Sequence, residues 1–340
     1  VDTTHLFAEK QEEITFAELD NKAVEQLIND LSRFAKRSIS NNYTVSAEQV
    51  TQKQVNEAQA ILDELVSRVK FRMRVPNFNK KLIELYSVIP RKMTKVKDHL
   101  ITNPKSQYDL DEIEKMLAEE QATLDVMRGQ VETLKKQPQK ETEKITLTEA
   151  LGISVEEVTD KKLIVQIKKM MDMHKDKFHK AYKITNLRTQ PQFDKFLEQA
   201  QYKKTELFWH GSRNENWLSI LKGGLVLRPA NAIITGKMFG YGLYFADKFR
   251  KSLNYSSLRG SYWTGGNQNR GFLALYDVHV GNQFKIKNHQ SWCYQLTETE
   301  LKKRGDYDSL FAKGGADLRN NEYIIYNQNQ CTVRYLVEVR

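Results

Sequence analysis

Between Trp209 and Tyr326 the chain carries three short segments whose residue types could grip a flat, polar, aromatic ligand. The first, Trp209-His210-Gly211-Ser212-Arg213, follows the apolar pair Leu207-Phe208. A strand ending on His-Gly can present an imidazole, and the glycine lets backbone groups approach a flat ligand closely. A single strand-end histidine also has an ordinary structural reading. The second segment runs from Gly236 to Tyr255, with Gly236, Gly240 and Gly242 in a close-approach loop and Tyr244 and Tyr255 flanking Lys251 and Ser252. Glycines beside aromatics suit a ring held by stacking while a hydroxyl reads its polar edge; the alternative is a turn and a helix whose tyrosines are core. Neither a GxGxxG fingerprint nor a GxxxxGK[ST] phosphate loop is present. The third is Asn321-Glu322-Tyr323-Ile324-Ile325-Tyr326, where a carboxylate opens an apolar run. Such a glutamate either faces solvent, the usual fate of a single Glu, or is held for a purpose.

The elements that must position these residues differ between the two halves of the chain. In the first half, Val24, Leu27, Ile28, Leu31 and Phe34 recur at helical spacing. A second helix is signalled by Val55, Ala58, Ile61, Leu62, Leu65, Val66 and Val69, with Thr51 and Gln54 as a capping box at its start. Leu82, Leu85 and Tyr86 predict a short helix between Pro76 and Pro90. The longest helix is predicted from Leu110 to Leu134, with Ile113, Met116, Leu117, Leu124, Met127, Val131 and Leu134 on one face. Amphipathic helices joined by short loops predict an all-α bundle. The apolar-free stretch Lys135 to Lys144, with Pro138 inside it, reads as a linker. Beyond it one more helix is expected from Lys161 to Met173. After that helix, runs rich in aromatic and β-branched residues, Leu207-Trp209, Phe272-Val280, Glu322-Tyr326 and Val333-Val339, predict strands. The fold class is therefore α+β, an N-terminal helical bundle followed by a mixed α/β half.

Composition narrows the function classes. With 340 residues, 40% hydrophobic and 28% charged, the chain is expected to be globular and to hold two domains. No apolar run is long enough for a membrane span, so no membrane partner is expected. The two cysteines, Cys293 and Cys331, lack zinc-ligand spacing, so no metal is expected and a reducing intracellular compartment is the simpler reading. A formal charge of +10 fits a polyanionic partner, an anionic cofactor, or merely a lysine-rich solvated surface. Val1 is followed by no apolar signal segment, so the chain reads as a fragment or a processed form.

Taken together, the three segments resemble the poly(ADP-ribose) polymerase catalytic domain. That family carries a strand ending in His-Gly-Ser, a GxGxYFAD segment followed by Lys-Ser-x-Asn-Tyr, and a later Asn-Glu-Tyr strand. Here these are His210-Gly211-Ser212, Gly240-Tyr241-Gly242-Leu243-Tyr244-Phe245-Ala246-Asp247, Lys251-Ser252-Leu253-Asn254-Tyr255 and Asn321-Glu322-Tyr323, in the same order and spacing. The helical half resembles the regulatory helical domain that precedes the catalytic domain in DNA-damage-responsive members, through Tyr86-Ser87-Val88-Ile89-Pro90 and the long helix. The likeness implies residues 1–20 as a leader or the end of an upstream module, 21–137 as the regulatory domain and 138–340 as an ADP-ribosyltransferase fold built on antiparallel sheets. It implies NAD+ as co-substrate, with His210 on a hydroxyl of the adenine ribose and Gly211 and Ser252 on the nicotinamide carboxamide. Tyr255 would stack on the nicotinamide ring, Tyr244 would line its other side, and Glu322 would hold the 2'-hydroxyl of the nicotinamide ribose. Lys251 falls among the NAD+-binding positions, Ser212 and Asn216 near the adenosine end, and the loop from Arg228 to Lys237 beside the donor site. Catalysis would rest on Glu322, Tyr244 and His210.

The implied reaction suits a single matched glutamate. Breaking the C–N glycosidic bond passes through an oxocarbenium-like transition state, as in glycoside hydrolysis. Nicotinamide leaves from a pyridinium cation as a neutral molecule, so no acid is needed to protonate it. One carboxylate can stabilise positive charge at the sugar and accept the acceptor's proton.

The likeness further implies that members with His, Tyr and Glu elongate poly(ADP-ribose). Two departures bear on that: Ser309-Leu310-Phe311-Ala312-Lys313-Gly314 only loosely matches the family's glycine-rich segment, and the stretch from Phe284 to Glu322 is short. Mono-ADP-ribosyl transfer therefore stays open as an alternative. A toxin-type transferase expects Ser-Thr-Ser and a Gln or Glu two residues before the catalytic Glu, where this chain has Asn320. A non-catalytic NAD+- or nucleic-acid-associated scaffold would show a lost catalytic residue, and none is missing. Expected partners are protein acceptors including the chain itself, and DNA through basic or absent regions. The expected location is intracellular, and nuclear for a eukaryotic source. The helical domain is expected to restrain activity, so that removing residues before 138 raises it.

Overall fold

The computed structural model of the chain describes residues 13–70, 74–137, 140–228 and 238–340. The expected features at Pro138 and Gly236, the loop beyond Arg228, and most of the 1–20 leader lie outside the described residues.

Helix α1 (Lys22–Asn42) starts at Asn21, whose side chain accepts from the Val24 amide at 3.1 Å. It buries Val24, Leu27, Ile28 and Leu31 as the spacing predicts. Helix α2 (Gln52–Lys70) begins with the expected reciprocal pair: Thr51 N–H donates to Gln54 Oε1 at 2.9 Å and Gln54 N–H to Thr51 Oγ1 at 3.2 Å. Helix α3 (Val75–Val88) carries Pro76 in its first turn, where no helical N–H is lost.

Helix α4 (Gln107–Leu134) departs from the one-faced pattern. In its C-terminal half Val126, Gly129, Gln130 and Thr133 are buried together with Met127 and Val131. The cause is a neighbour the sequence could not announce: a Cβ on Gly129 would lie 2.7 Å from Ser219 Cβ. Gln137 and Ile145, on either side of the 138–139 gap in the described residues, both bond to the segment before α1. The Ala17 amide donates to Ile145 O at 2.9 Å, and Gln137 Nε2 to Thr15 O at 2.6 Å.

After the short helix α5 (Leu147–Leu151) come β1 (Ile153–Glu157), α6 (Lys161–Met170), β2 (Phe178–Asn186), α7 (Thr189–Gln199), β3 (Thr205–Gly211), α8 (Trp217–Gly223), β4 (Leu243–Phe245) and α9 (Phe249–Leu253). The chain continues through β5 (Gly271–His279), β6 (Gln283–Ile286), α10 (Glu298–Lys302), β7 (Ser309–Ala312), β8 (Glu322–Ile325) and β9 (Cys331–Val339). Helix α6 stops three residues earlier than expected and gives way to a 3-10 segment over Asp172–Lys177.

Two sheets result. The five-stranded sheet has the order β1-β2-β9-β5-β3 and is antiparallel throughout. The four-stranded sheet, β4-β8-β7-β6, is antiparallel except for the parallel pair β6–β7. Strand β5 is buried on both faces: Phe272, Ala274, Tyr276 and Val278 join the core shared with α1, α4 and α8, while Leu273 and Leu275 join Trp209, Phe249 and Ile167 on the other side. The helical half and the five-stranded sheet thus share one continuous apolar core. Among the described residues no helix is long and apolar enough to cross a membrane.

Candidate active site

Strand β3 delivers the first candidate residues. Successive side chains on a strand point to opposite faces. Trp209, 1% exposed, packs its edge on Phe249 and donates its indole N–H to Met170 O at 2.9 Å. His210 points the other way, into an aromatic cage of Tyr276, Trp217 and Phe245 with ring centroids 5.8, 6.3 and 6.3 Å away. Burial there lowers its pKa from 6.5 to about 4, so the imidazole is neutral near pH 7 and can both donate and accept a hydrogen bond.

At Gly211 a Cβ would lie 1.9 Å from the carbonyl oxygen of Ser252, so only glycine lets the end of β3 meet α9 backbone to backbone. Beyond it Ser212 Oγ accepts from Asn216 Nδ2 at 3.0 Å, and Ser212 O accepts from the Trp217 indole at 3.2 Å. Ser212 and Asn216 therefore stand together at the turn between β3 and α8.

The glycine-rich segment supplies the opposite wall. Gly240 has φ +77° and its position would bring a Cβ to 2.2 Å from Leu296 O, so the turn requires glycine on both counts. Tyr244, on β4, is 9% exposed; its hydroxyl donates to Gly240 O at 2.7 Å and accepts from the Phe239 amide at 3.2 Å. Burial, reinforced by the negative charge of Glu322, raises its pKa far above the usual tyrosine range, so it stays a neutral donor. On α9 Ser252 is buried beside Gly211. Tyr255 follows on the next turn, its pKa raised by burial and again by Glu322, with its ring near-parallel (17°) to that of Trp263.

Glu322 opens β8 opposite Ala312 and is only 8% exposed. Lys251, on α9, forms a close ion pair with its Oε1. The default expectation of a solvent-facing glutamate is therefore overturned: this carboxylate is buried and held by a cation.

The structure thus brings His210, Gly211, Ser252, Lys251, Tyr255, Tyr244 and Glu322 to the place where β3 meets α9 and β4 meets β8. Of the loop expected beside the donor site, Arg228 is described. Its Nη1 lies 2.5 Å from Asp125 Oδ1 and 3.1 Å from Gln59 Oε1, both in the helical half. Sequence reasoning had no signal for that contact, because nothing in the spacing of Gln59 or Asp125 distinguishes them from solvated helix positions. Asp247 likewise carries no local signal of a role beyond its place in the Tyr244-Phe245-Ala246-Asp247 string. Among the described residues no group of three or more His, Cys, Asp or Glu could hold a metal ion. Both cysteines are buried and free.

The two sheets meet at one neutral histidine, a buried and a half-buried tyrosine, a serine and a lysine-paired glutamate, a set suited to a transferase acting on a glycosidic bond. The Poly(ADP-ribose) polymerase catalytic domain matches residues 159–340, more than half of the chain. A poly [ADP-ribose] polymerase-like protein, 100L, of Invertebrate iridescent virus 6 is 32% identical over 170 residues, covering 48% of this chain and 87% of that protein. Poly [ADP-ribose] polymerase 2 of Arabidopsis thaliana is 32% identical over 169 residues, 43% of this chain and 26% of that protein. Its Homo sapiens namesake is 32% identical over 158 residues, 39% of this chain and likewise 26% of the relative. The chain therefore spans about a quarter of the plant and human relatives. It belongs to the poly(ADP-ribose) polymerase family, and its activity is that of an NAD+ ADP-ribosyltransferase.

Proposed function

We propose that this chain builds poly(ADP-ribose) on protein acceptors, itself included, and that its helical half restrains the reaction. The observation that carries the first part is Glu322, buried at the start of β8 with Lys251 on its carboxylate, in a chain that also keeps His210 and Tyr244. Gly211 and Ser252, in contact through their backbones, are assigned to the nicotinamide carboxamide. Tyr255 stacks on the ring and Tyr244 lines its far side. The neutral His210 holds a hydroxyl of the adenine ribose, with Ser212 and Asn216 toward the adenosine end.

As the glycosidic bond breaks, nicotinamide leaves neutral and positive charge grows on the ribose. Glu322, holding the ribose 2'-hydroxyl, stabilises that charge and takes the proton from the incoming acceptor hydroxyl. Lys251 fixes the carboxylate in a single orientation between these two tasks. Restraint by the helical half is supported by Asp125 and Gln59, which hold Arg228 at the base of the loop assigned to the donor site. The net charge of +10 supports a DNA partner, whose binding is expected to weaken steeply with salt.

The test is incubation with labelled NAD+, comparing the wild-type protein with Glu322→Gln on a denaturing gel. A high-molecular-weight smear that disappears in the variant supports polymer synthesis. A discrete labelled band assigns single-unit transfer instead. Equal labelling of both proteins removes Glu322 from the chemistry.

A further inference from the structure

Strand β4 stops pairing with β8 one residue short of Glu322. The register matches Leu243, Tyr244 and Phe245 with Ile325, Ile324 and Tyr323, and continued in step it would put Ala246 opposite Glu322 and Asp247 opposite Asn321. Ala246 instead bridges to Trp209 in the five-stranded sheet, accepting from the Trp209 amide at 3.1 Å. The chain therefore leaves one sheet for the other beside Glu322. That departure leaves Glu322 laddered to Ala312 of β7 on one side and removes the backbone ladder on the β4 side of this end of β8.

We infer that the Asp247 side chain replaces that missing ladder and acts as the positioning residue for Glu322. Its Oδ2 accepts from Asn321 Nδ2 at 3.0 Å and from the Tyr323 hydroxyl at 3.2 Å, so one carboxylate oxygen grips the residues on either side of Glu322. Its other oxygen is shut off from water and has no partner among the described residues, which leaves the two donors to fix the group. The donors are themselves anchored. Asn321 Oδ1 accepts from the Gly314 amide at 2.8 Å, and the Tyr323 ring stacks on Phe208 with centroids 4.1 Å apart. Burial and the Asp247 charge both raise the Tyr323 pKa, so its hydroxyl remains a donor.

This inference rests on the assignment of Glu322 as the catalytic carboxylate, and the test separates the two. Steady-state NAD+ consumption is measured for Asp247→Ala, Asp247→Asn, Tyr323→Phe and Glu322→Gln, with the dissociation constant of nicotinamide for each. A shift of about 1 Å at the reacting group can cost on the order of 100-fold. We expect Asp247→Ala to lower kcat at least about tenfold while KM for NAD+ and nicotinamide affinity stay within about twofold. Asp247→Asn, which keeps an accepting oxygen, recovers part of the rate. Tyr323→Phe keeps the stacked ring, gives a smaller loss, and adds little on top of Asp247→Ala because both remove the same restraint. Wild-type kcat in Asp247→Ala and Tyr323→Phe, with Glu322→Gln inactive, overturns the inference alone. So does a parallel loss of kcat, NAD+ affinity and nicotinamide affinity, which marks a general collapse of the pocket. Full activity in Glu322→Gln overturns the catalytic assignment and the inference with it.

Discussion

Lys251 and Glu322 meet across the junction of α9 and β8, joining in one ion pair two segments separated by 71 residues. The lysine side chain is 23% exposed and the glutamate 10%, so solvent screening is weak. Removing one partner of such a pair leaves the other charged and underhydrated. Lys251→Met is therefore expected to lower NAD+ turnover by on the order of tenfold or more and to reduce thermal stability. Lys251→Arg keeps the charge but presents it as a planar fork, so only partial activity is expected. Initial rates of NAD+ consumption decide the matter, and a fully active Lys251→Met would reduce the pair to packing.

Gly211 is a second point where small changes have large effects. A methyl group there meets a backbone oxygen at 1.9 Å, and neither β3, paired through Leu273, nor α9 can retreat without opening the pocket. Gly211→Ala is expected to abolish binding of nicotinamide while the circular dichroism spectrum changes little. Calorimetric titration with nicotinamide measures this; unchanged affinity would show that β3 and α9 do not jointly form the ring pocket.

What the sequence made legible follows from which signals are local. The α1 and α2 patterns and the Thr51–Gln54 cap are written within one or two turns and match the structure. Strand β2, Phe-His-Lys-Ala-Tyr-Lys-Ile-Thr-Asn, shows no clean period because lysines and a histidine dilute its apolar residues and because Ala181 and Tyr182, next to each other and on opposite faces, are both buried. Strand β4, three residues long, is too short to carry a period. The site was legible as motifs: His210, Tyr244, Ser252 and Glu322 each sit in a recognisable string. The residues that hold those strings in place were not. Asp247, Arg228 and Asp125 act through pairings across 74 to 103 positions, and no spacing rule reaches that far.

His210 makes stability depend on pH in a window that can be stated. Its pKa falls from 6.5 in an unstructured chain to about 4 in the cage, so between these values the unfolded chain binds a proton that the folded one refuses. Its contribution is complete above pH 6.5 and is lost progressively as pH falls toward 4. Carboxylates titrate mostly below this range, so the comparison is cleanest in its upper part. The drop in thermal midpoint from pH 7 to about 5 is expected to be smaller in His210→Phe than in wild type. Identical slopes would mean that water reaches the imidazole.

Arg270 ties the helical half to the sheet. Its guanidinium donates to Asp30 Oδ2 of α1 at 2.6 Å and to Glu338 Oε1 of β9 at 2.7 Å, and both carboxylate side chains are at most 5% exposed. Arg270→Ala leaves these two acids with Arg33, His179 and Arg340 as neighbours, at 3.1 to 3.3 Å. A loss of about 3 kcal/mol is expected, short of the full cost of orphaning a buried pair. Arg270→Lys should lie between, since an ammonium cannot bridge both acids in the same geometry. Chemical denaturation resolves these differences; an Arg270→Ala loss below about 0.5 kcal/mol would show the clasp to be solvated.

The restraint assigned to the helical half is best tested at Asp125 rather than by truncation. Trp217, Leu218 and Leu221 of α8 share a core with α1 and α4, so cutting the helices away exposes them and confounds activity with solubility. Asp125 also has a particular electrostatic position: its Oδ1 serves both Arg228 and Arg128 at 2.5 Å. The Arg128 pKa is lowered by burial first and by the charge of Arg228 second, so the two guanidiniums repel one another across the carboxylate they share. Asp125 supplies the charge in this latch, and Gln59 adds only a neutral acceptor to Arg228. Asp125→Asn removes the charge and leaves Arg228 only neutral acceptors, so it is expected to loosen Arg228 and to raise NAD+ turnover by about fivefold or more, the lower range of allosteric couplings. Arg128→Ala removes the repulsion while sparing the latch, and should leave turnover at or below wild type. Opposite directions for these two variants support restraint through Arg228. Equal turnover in wild type and Asp125→Asn means that the helical half does not act on the donor site through this contact.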